Sequence, residues 1–174
     1  METSTVKQDN TMAAVIHLST FSKYLFPLGN FILPLILWTA KQNDPFVDHH
    51  GKQALNFQIS MFLYFILLVC LAIAGVIFLG VRMESINDMV FHNGFHEFFR
   101  VVHALPILIF IGIMGTLLLA LFVFEIVAII TATVKASEGK YYNYPLTINF
   151  IKPTPVDNHQ SKNEQFNNTQ NPRQ

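Results

Sequence analysis

DPFVDHHGKQALNFQISMFLY, residues 44–64, is the stretch on which the fold depends. Asp44 can cap the free amides of a first helical turn and Pro45 suits the first helical position, so we predict that a helix begins here. No charged residue follows Lys52 until Arg82. A helix with so long an uncharged run is predicted to enter a membrane.

Polar side chains of this stretch recur three or four residues apart and therefore lie on one face of a helix. We call this face the polar stripe; its members are His49, Gln53, Asn56, Ser60 and Tyr64. An amide that faces lipid tails costs about 1–3 kcal/mol, so the stripe is expected to face other helices, water or another subunit. Function is expected at these positions.

The composition is typical of an integral membrane protein. Apolar residues make up 52% of the chain and charged residues 13%, and the charges avoid the long apolar segments. The net charge is zero and no nucleic-acid motif occurs, which excludes nucleic acid as a partner. The expected partners are the lipid bilayer and either another membrane protein or further copies of this chain. The expected location is the inner membrane of a bacterium.

Hydropathy predicts an all-α membrane fold with about three transmembrane helices, at residues 24–40, 55–80 and 104–134. Residues 12–23 suit an interfacial helix, and residues 81–103 suit an amphipathic helix on the membrane surface. The flanking tails, residues 1–11 and 153–174, are too polar to fold, which leaves a single membrane domain at residues 12–152.

The first predicted span cannot be one straight helix. Pro27, Gly29 and Pro34 each weaken its hydrogen-bond ladder, and Asn30 lies among them. We therefore predict a break at Pro27–Asn30, with the freed carbonyls satisfied by neighbouring helices. Broken helices occur both as simple kinks and as the lining of transporter sites.

The last predicted span carries one row of small residues at i, i+4 spacing. Such a row lets another helix approach closely. This helix-packing row contains Gly112, Thr116, Ala120, Ala128 and Ala132, interrupted by Phe124 and continued by Ala136. The helix that contains this span is predicted to be capped at Gly139, a residue suited to a helix C-terminus.

Glu125 and His17 have two interpretations each. Glu125 lies too deep in the last span to reach the headgroups, so it is either a functional carboxyl or a structural group bonded to the polar stripe or to Asn30. His17 is either an interfacial imidazole bonded to backbone or water, or a ligand or proton relay. All these positions, with the polar stripe, are candidates for an intramembrane or partner-binding site.

No motif of an enzyme is present. The chain has no glycine-rich phosphate loop and no His-Glu-x-x-His zinc motif, and Cys70 lies in an apolar run that disfavours a thiolate. We therefore expect no catalytic residue and no cofactor. His92, His96 and His103 could share a metal ion, although their spacing is not specific to metal sites, so no metal is predicted.

Three segments of the chain together carry a resemblance to a known family: HLSTFSKYLFPLGNFILPLILW, DPFVDHHGKQALNFQIS and TATVKASEGKYYNYPLTINFI. They resemble the small bacterial membrane proteins grouped with the twenty-kilodalton Tic component of the chloroplast import machinery. The resemblance covers residues 12–152 and implies a hairpin of long helices and a role near protein translocation or envelope assembly. The long segment at 81–103 and Glu125 depart from that pattern.

Two functions follow from the sequence. The favoured one is a non-enzymatic module of a larger membrane complex. The alternative is a small oligomeric transporter or channel whose path is lined by the polar stripe and Glu125. With three spans, the slight excess of lysine near the C-terminus predicts that this end lies in the cytoplasm.

Overall fold

The computed structural model describes residues 9–90 and 96–152, with side chains at 9–82 and 105–152. The described part is all helical apart from its connections, which confirms the all-α class. Its elements are α1 (Asn10–Ser19), a 3-10 helix (Thr20–Tyr24), α2 (Gly29–Lys41), α3 (Pro45–Val90) and α4 (His96–Ser137).

The helix ends follow their sequence signals. The Asp44 carboxylate accepts from the amide of Phe46 at 2.8 Å, so the predicted cap at the start of α3 is confirmed. After α4 the chain turns at Gly139, whose φ of 74° is a left-handed conformation that glycine adopts with little steric strain. The amides of Gly139 and Lys140 donate to the carbonyls of Ala136 and Lys135, which closes the helix as predicted.

The break predicted at Pro27–Asn30 is also observed. The 3-10 helix ends at Tyr24 and α2 begins at Gly29. Between them Leu28 adopts a left-handed conformation with φ of 60°. The amides of Phe31 and Ile32 donate to the Leu28 carbonyl, so α2 starts anew after the break.

Helices α3 and α4 pack against each other as an antiparallel hairpin. An added Cβ at Gly75 would lie 2.2 Å from the Phe110 ring, which shows how closely the two helices approach. Two segments, Pro45–Arg82 and Leu105–Ser137, are long and apolar enough to cross a membrane. On α3 the exposed apolar side chains run from Phe62 to Val81. These roughly 20 residues span about 30 Å, the thickness of a bilayer's hydrocarbon core.

The first half of α3 lies inside a small bundle. Helix α2 runs antiparallel to it, with Trp38 against Gly51 and the rings of Phe31 and Phe62 6.1 Å apart. Helix α1 packs between α3 and α4. The largest core cluster joins α3, α4 and the segment after α4; it contains Phe57, Met61, Ala128, Ile129, Ala132 and Tyr144.

The predicted count of three spans is not confirmed. Helix α2 has 13 residues and measures about 20 Å, too short to cross a hydrocarbon core of about 30 Å by itself. The chain breaks before Gly29. Helix α1 and the 3-10 helix lie before the break and α2 lies after it, and together they form a bent unit beside α3. The surface helix predicted at 81–103 stays a prediction, because residues 91–95 and the side chains of 83–104 lie outside the described residues; α3 continues to Val90 and α4 begins at His96.

Gly51 is expected to be indispensable to the packing of α2 on α3. A Cβ there would lie 2.4 Å from the Trp38 ring, so Gly51→Ala should destabilise the protein by about 1–3 kcal/mol through overpacking. Gly80→Ala is the matched control on the same helix, since nothing lies within 4 Å of its Cβ and alanine favours a helix. Thermal unfolding in detergent measures both, and equal midpoints would contradict this packing.

Candidate functional site

The polar stripe is covered by the segment that follows α4. We call residues 138–151 the C-terminal hairpin, because the chain runs along α3, turns at Leu146 with φ of 58°, and runs back. Each stripe residue bonds a backbone group of this hairpin. The pairs are His49 with the Tyr142 carbonyl, Gln53 with the Tyr144 amide, Asn56 with Ile151, Ser60 with the Ile148 amide, and Tyr64 with the Leu146 carbonyl.

Asn56 holds the end of the hairpin at two points. Its Nδ2 donates to the Ile151 carbonyl at 2.8 Å, and its Oδ1 accepts from the Ile151 amide at 2.8 Å. The Asn56 side chain thus satisfies both backbone groups of Ile151, as a neighbouring strand would do in a sheet. Asn56 is fully buried, so both bonds are shielded from water.

Beside the stripe, three side chains form a buried hydrogen-bonded chain. The Tyr144 hydroxyl lies 2.9 Å from His17 Nδ1, and His17 Nε2 lies 2.8 Å from His50 Nδ1. The chain joins α1, α3 and the C-terminal hairpin. The structure thus gives His17 two side-chain partners, Tyr144 and His50.

These three hydrogen-bonded side chains are uncharged at ordinary pH. Burial lowers the pKa of His17 well below its usual value of 6.5, because the charged imidazolium would lose its hydration. Burial likewise raises the pKa of the Tyr144 phenol well above 10. The ring of Tyr144 also stacks on Phe57, with 4.1 Å between centroids, which fixes the direction of its hydroxyl.

Glu125 is paired with a cation. Lys23 Nζ donates to Glu125 Oε1 at 2.5 Å, and the side chains are 23% and 10% exposed. Among the described residues no hydrogen bond joins Glu125 to the polar stripe or to Asn30. Asn30 instead donates to Gln58 Oε1 at 2.8 Å.

Lys23 was missed by the sequence reasoning, although a signal for it existed. It is the only charged residue between Asp9 and Lys41, and Glu125 is the only one between Arg100 and Lys135. Two isolated charges of opposite sign in apolar surroundings predict an ion pair. Tyr144 was missed as well, because closely spaced tyrosines such as Tyr141, Tyr142 and Tyr144 are also typical of a membrane–water interface.

A cavity of about 380 Å³ opens beside this ion pair. Its polar end is formed by Lys23, Asn30, Gln58 and Glu125. Its apolar walls come from the 3-10 helix, α2, α3 and α4 and include Tyr24, Leu28, Phe31, Met61, Phe62, Phe65, Leu118, Leu121 and Phe122. The cavity thus combines a charged end with an aromatic, apolar body.

The helix-packing row is divided between two environments. Ala128 and Ala132 are buried in the bundle, where α4 meets α1 and the core cluster. Gly112, Thr116 and Ala120 are exposed, and a Cβ added at Gly112 would meet nothing within 4 Å. Within the described part of the chain, the exposed half faces away from the other helices.

Metal binding by the histidine trio is not addressed by the structure. His92 lies outside the described residues, as do the side chains of His96 and His103. Among the described side chains no group of three or more His, Cys, Asp or Glu is arranged to hold a metal ion.

The fold and site define a class: a helical hairpin of membrane-spanning length with a polar core at one end. The particular family follows from comparison. Residues 8–151 match the magnetosome magnetite crystal formation protein family, MamF/MmsF, and the chain belongs to it. It is accordingly a membrane protein of a family involved in magnetosome formation. No curated protein and no solved structure matches the chain.

The family match corrects the resemblance drawn from the sequence. The assignment to the proteins grouped with the twenty-kilodalton Tic component is wrong, because residues 8–151 match a different family and nothing links the chain to the import machinery. The first of the three segments, residues 17–38, is mostly apolar, and many membrane helices share such a composition, so it carries little family information.

Removing the Asn56 side chain is expected to release the C-terminal hairpin. Asn56→Leu leaves the amide and carbonyl of Ile151 without partners, which should destabilise the fold by about 1–3 kcal/mol. Limited proteolysis should then cut within residues 138–151 faster than in the wild type. Thr131→Val is the control, because among the described residues that hydroxyl bonds the Val127 carbonyl of its own helix and nothing in the C-terminal hairpin. Equal protection of both variants would contradict the assigned role of Asn56.

Proposed function

We propose that the chain is a non-enzymatic membrane module that takes part in forming the magnetite crystal of a magnetosome. The observation that carries the proposal is the family match, which includes α1, α2, α3, α4 and the C-terminal hairpin. The match therefore extends over the whole described fold rather than one motif. Contact with another membrane protein or a second copy is part of this proposal.

The geometry supports a module better than a transport path. A path along the polar stripe requires side chains that are free to face water. Here the stripe residues bond the backbone of the C-terminal hairpin, and Ser60 and Asn56 are fully buried. Glu125 is bonded to Lys23. The alternative of a transporter or channel gains no observation in its favour.

The arrangement of the helices leads to a proposal about orientation. Helices α3 and α4 form a long pair, and both ends of the described chain lie at the end of this pair that contains Pro45. The reason is that α1 and the C-terminal hairpin pack there. Lysines are concentrated at that end and include Lys41, Lys52, Lys135, Lys140 and Lys152. The far end carries Arg82 and Arg100. By the positive-inside rule both termini lie in the cytoplasm.

Reporter fusions after Lys152 test this orientation. A cytoplasmic fluorescent reporter should be bright there and alkaline phosphatase inactive. The same reporters inserted after Asn93, between the two long helices, should give the opposite result. Active phosphatase after Lys152 would show that the proposed orientation is inverted.

Genetic complementation tests the function. A magnetotactic bacterium without its own members of this family should recover normal magnetite crystal dimensions when it expresses the chain. Asn56→Leu should restore them less well than Thr131→Val, since the first variant loosens the C-terminal hairpin and the second leaves it intact. Electron microscopy of the crystals gives the measurement.

Fractionation makes the result decisive. The chain must be found in the purified magnetosome membrane by immunoblot before crystals are compared. Unchanged crystals in cells whose magnetosome membranes contain the intact protein would refute the proposed function.

A further inference from the structure

We propose that the cavity beside Lys23 and Glu125 is a binding site for one membrane glycerophospholipid. Its headgroup would lie at the polar end of the cavity, and one acyl chain would lie between the aromatic walls. This site is independent of the proposed role in crystal formation.

The first argument is the position of the cavity along the helices. Its polar residue Gln58 lies four residues before Phe62, where the exposed apolar side chains of α3 begin, and Glu125 faces it from α4. Phe65 and Leu118 line the cavity seven residues further into the band, about 10 Å away. The lining therefore changes from polar to apolar in the direction in which a phospholipid changes from headgroup to acyl chain.

The second argument is an unsatisfied donor. Gln58 is 1% exposed, and its Nε2 has no hydrogen-bond partner among the described residues. A buried amide donor without a partner is costly, and a ligand oxygen at this position would remove the cost. Its Oε1 is already occupied by Asn30, so the free group is specifically a donor.

The third argument is the charge of the polar end. An ammonium group has three N–H donors, and Lys23 uses one of them on Glu125 Oε1 in the described part of the chain. Lys23 and Gln58 can therefore both donate to phosphate or ester oxygens. The pair as a whole is neutral, and the second carboxylate oxygen of Glu125 can accept from a headgroup ammonium. Phosphatidylethanolamine offers both groups.

The fourth argument is access. Several residues that line the cavity are also large, exposed apolar side chains on the outer surface of the helices: Leu28, Phe62, Phe65 and Phe122. The entrance therefore opens sideways, onto a surface that faces lipid. The volume of about 380 Å³ lies in the range of small-molecule sites and suits an acyl chain with its ester group.

Native mass spectrometry with added phosphatidylethanolamine tests the site in the full-length protein in detergent. We expect one tightly held lipid per chain. Phe65→Ala removes part of the apolar wall and should weaken binding roughly fivefold. Gln58→Leu removes the free donor and should weaken it roughly five- to tenfold. Phe78→Ala is the matched control: it makes the same change at an exposed position of α3 outside the cavity.

Two further measurements separate lipid binding from other effects. Thermal unfolding shows whether the Gln58→Leu variant remains folded. If that variant does not fold, Phe65→Ala still tests the site, because Phe65 is exposed. Glycerophosphoethanolamine, the headgroup without acyl chains, should fail to compete with the lipid. The proposal is overturned if Phe65→Ala and Phe78→Ala bind lipid equally, or if the headgroup alone displaces it.

Discussion

The structure depends on hydrogen bonds between side chains of one helix and the backbone of an extended segment. The polar stripe of α3 and the C-terminal hairpin are each unfavourable alone, because amides, hydroxyls and backbone groups buried without partners cost free energy. Together they satisfy each other, most completely where Asn56 bonds both the amide and the carbonyl of Ile151. At the depth of the hydrocarbon core, non-helical backbone is tolerated only where protein or water satisfies its polar groups.

Much of this architecture could be predicted from the sequence, since its signals are local. The cap at Asp44, the turn at Gly139 and the break before α2 each depend on a few neighbouring residues. The segment that bonds the polar stripe could not be predicted. The bonding groups are backbone amides and carbonyls, which every residue has, so no residue type in the sequence indicates them. The predicted span count is not confirmed for a related reason: hydropathy counts the apolar residues at 24–40 and does not register the left-handed turn at Leu28.

The two ends of the long hairpin differ in what surrounds them. Near Pro45 one side of each helix contacts α1 and the C-terminal hairpin, and the interior carries the hydrogen-bonded side chains of Tyr144, His17 and His50. Beyond Phe62 the helices contact each other and expose apolar side chains on their outer surface. The ion pair of Lys23 and Glu125 lies where these two environments meet. One end therefore holds the polar contacts of the bundle, and the other presents an apolar surface.

The pairing of Asn56 with Ile151 also has a consequence for biosynthesis, since the two residues are separated by 95 positions. When α3 leaves the ribosome, the residues that will satisfy its stripe have not been made. Until the chain has been translated beyond residue 151, these polar groups must bond to water or to the insertion machinery. Loop closure over so long a separation is slow, so docking of the hairpin is expected to be a late step of folding. Quality control could recognise the nascent protein by this uncovered stripe.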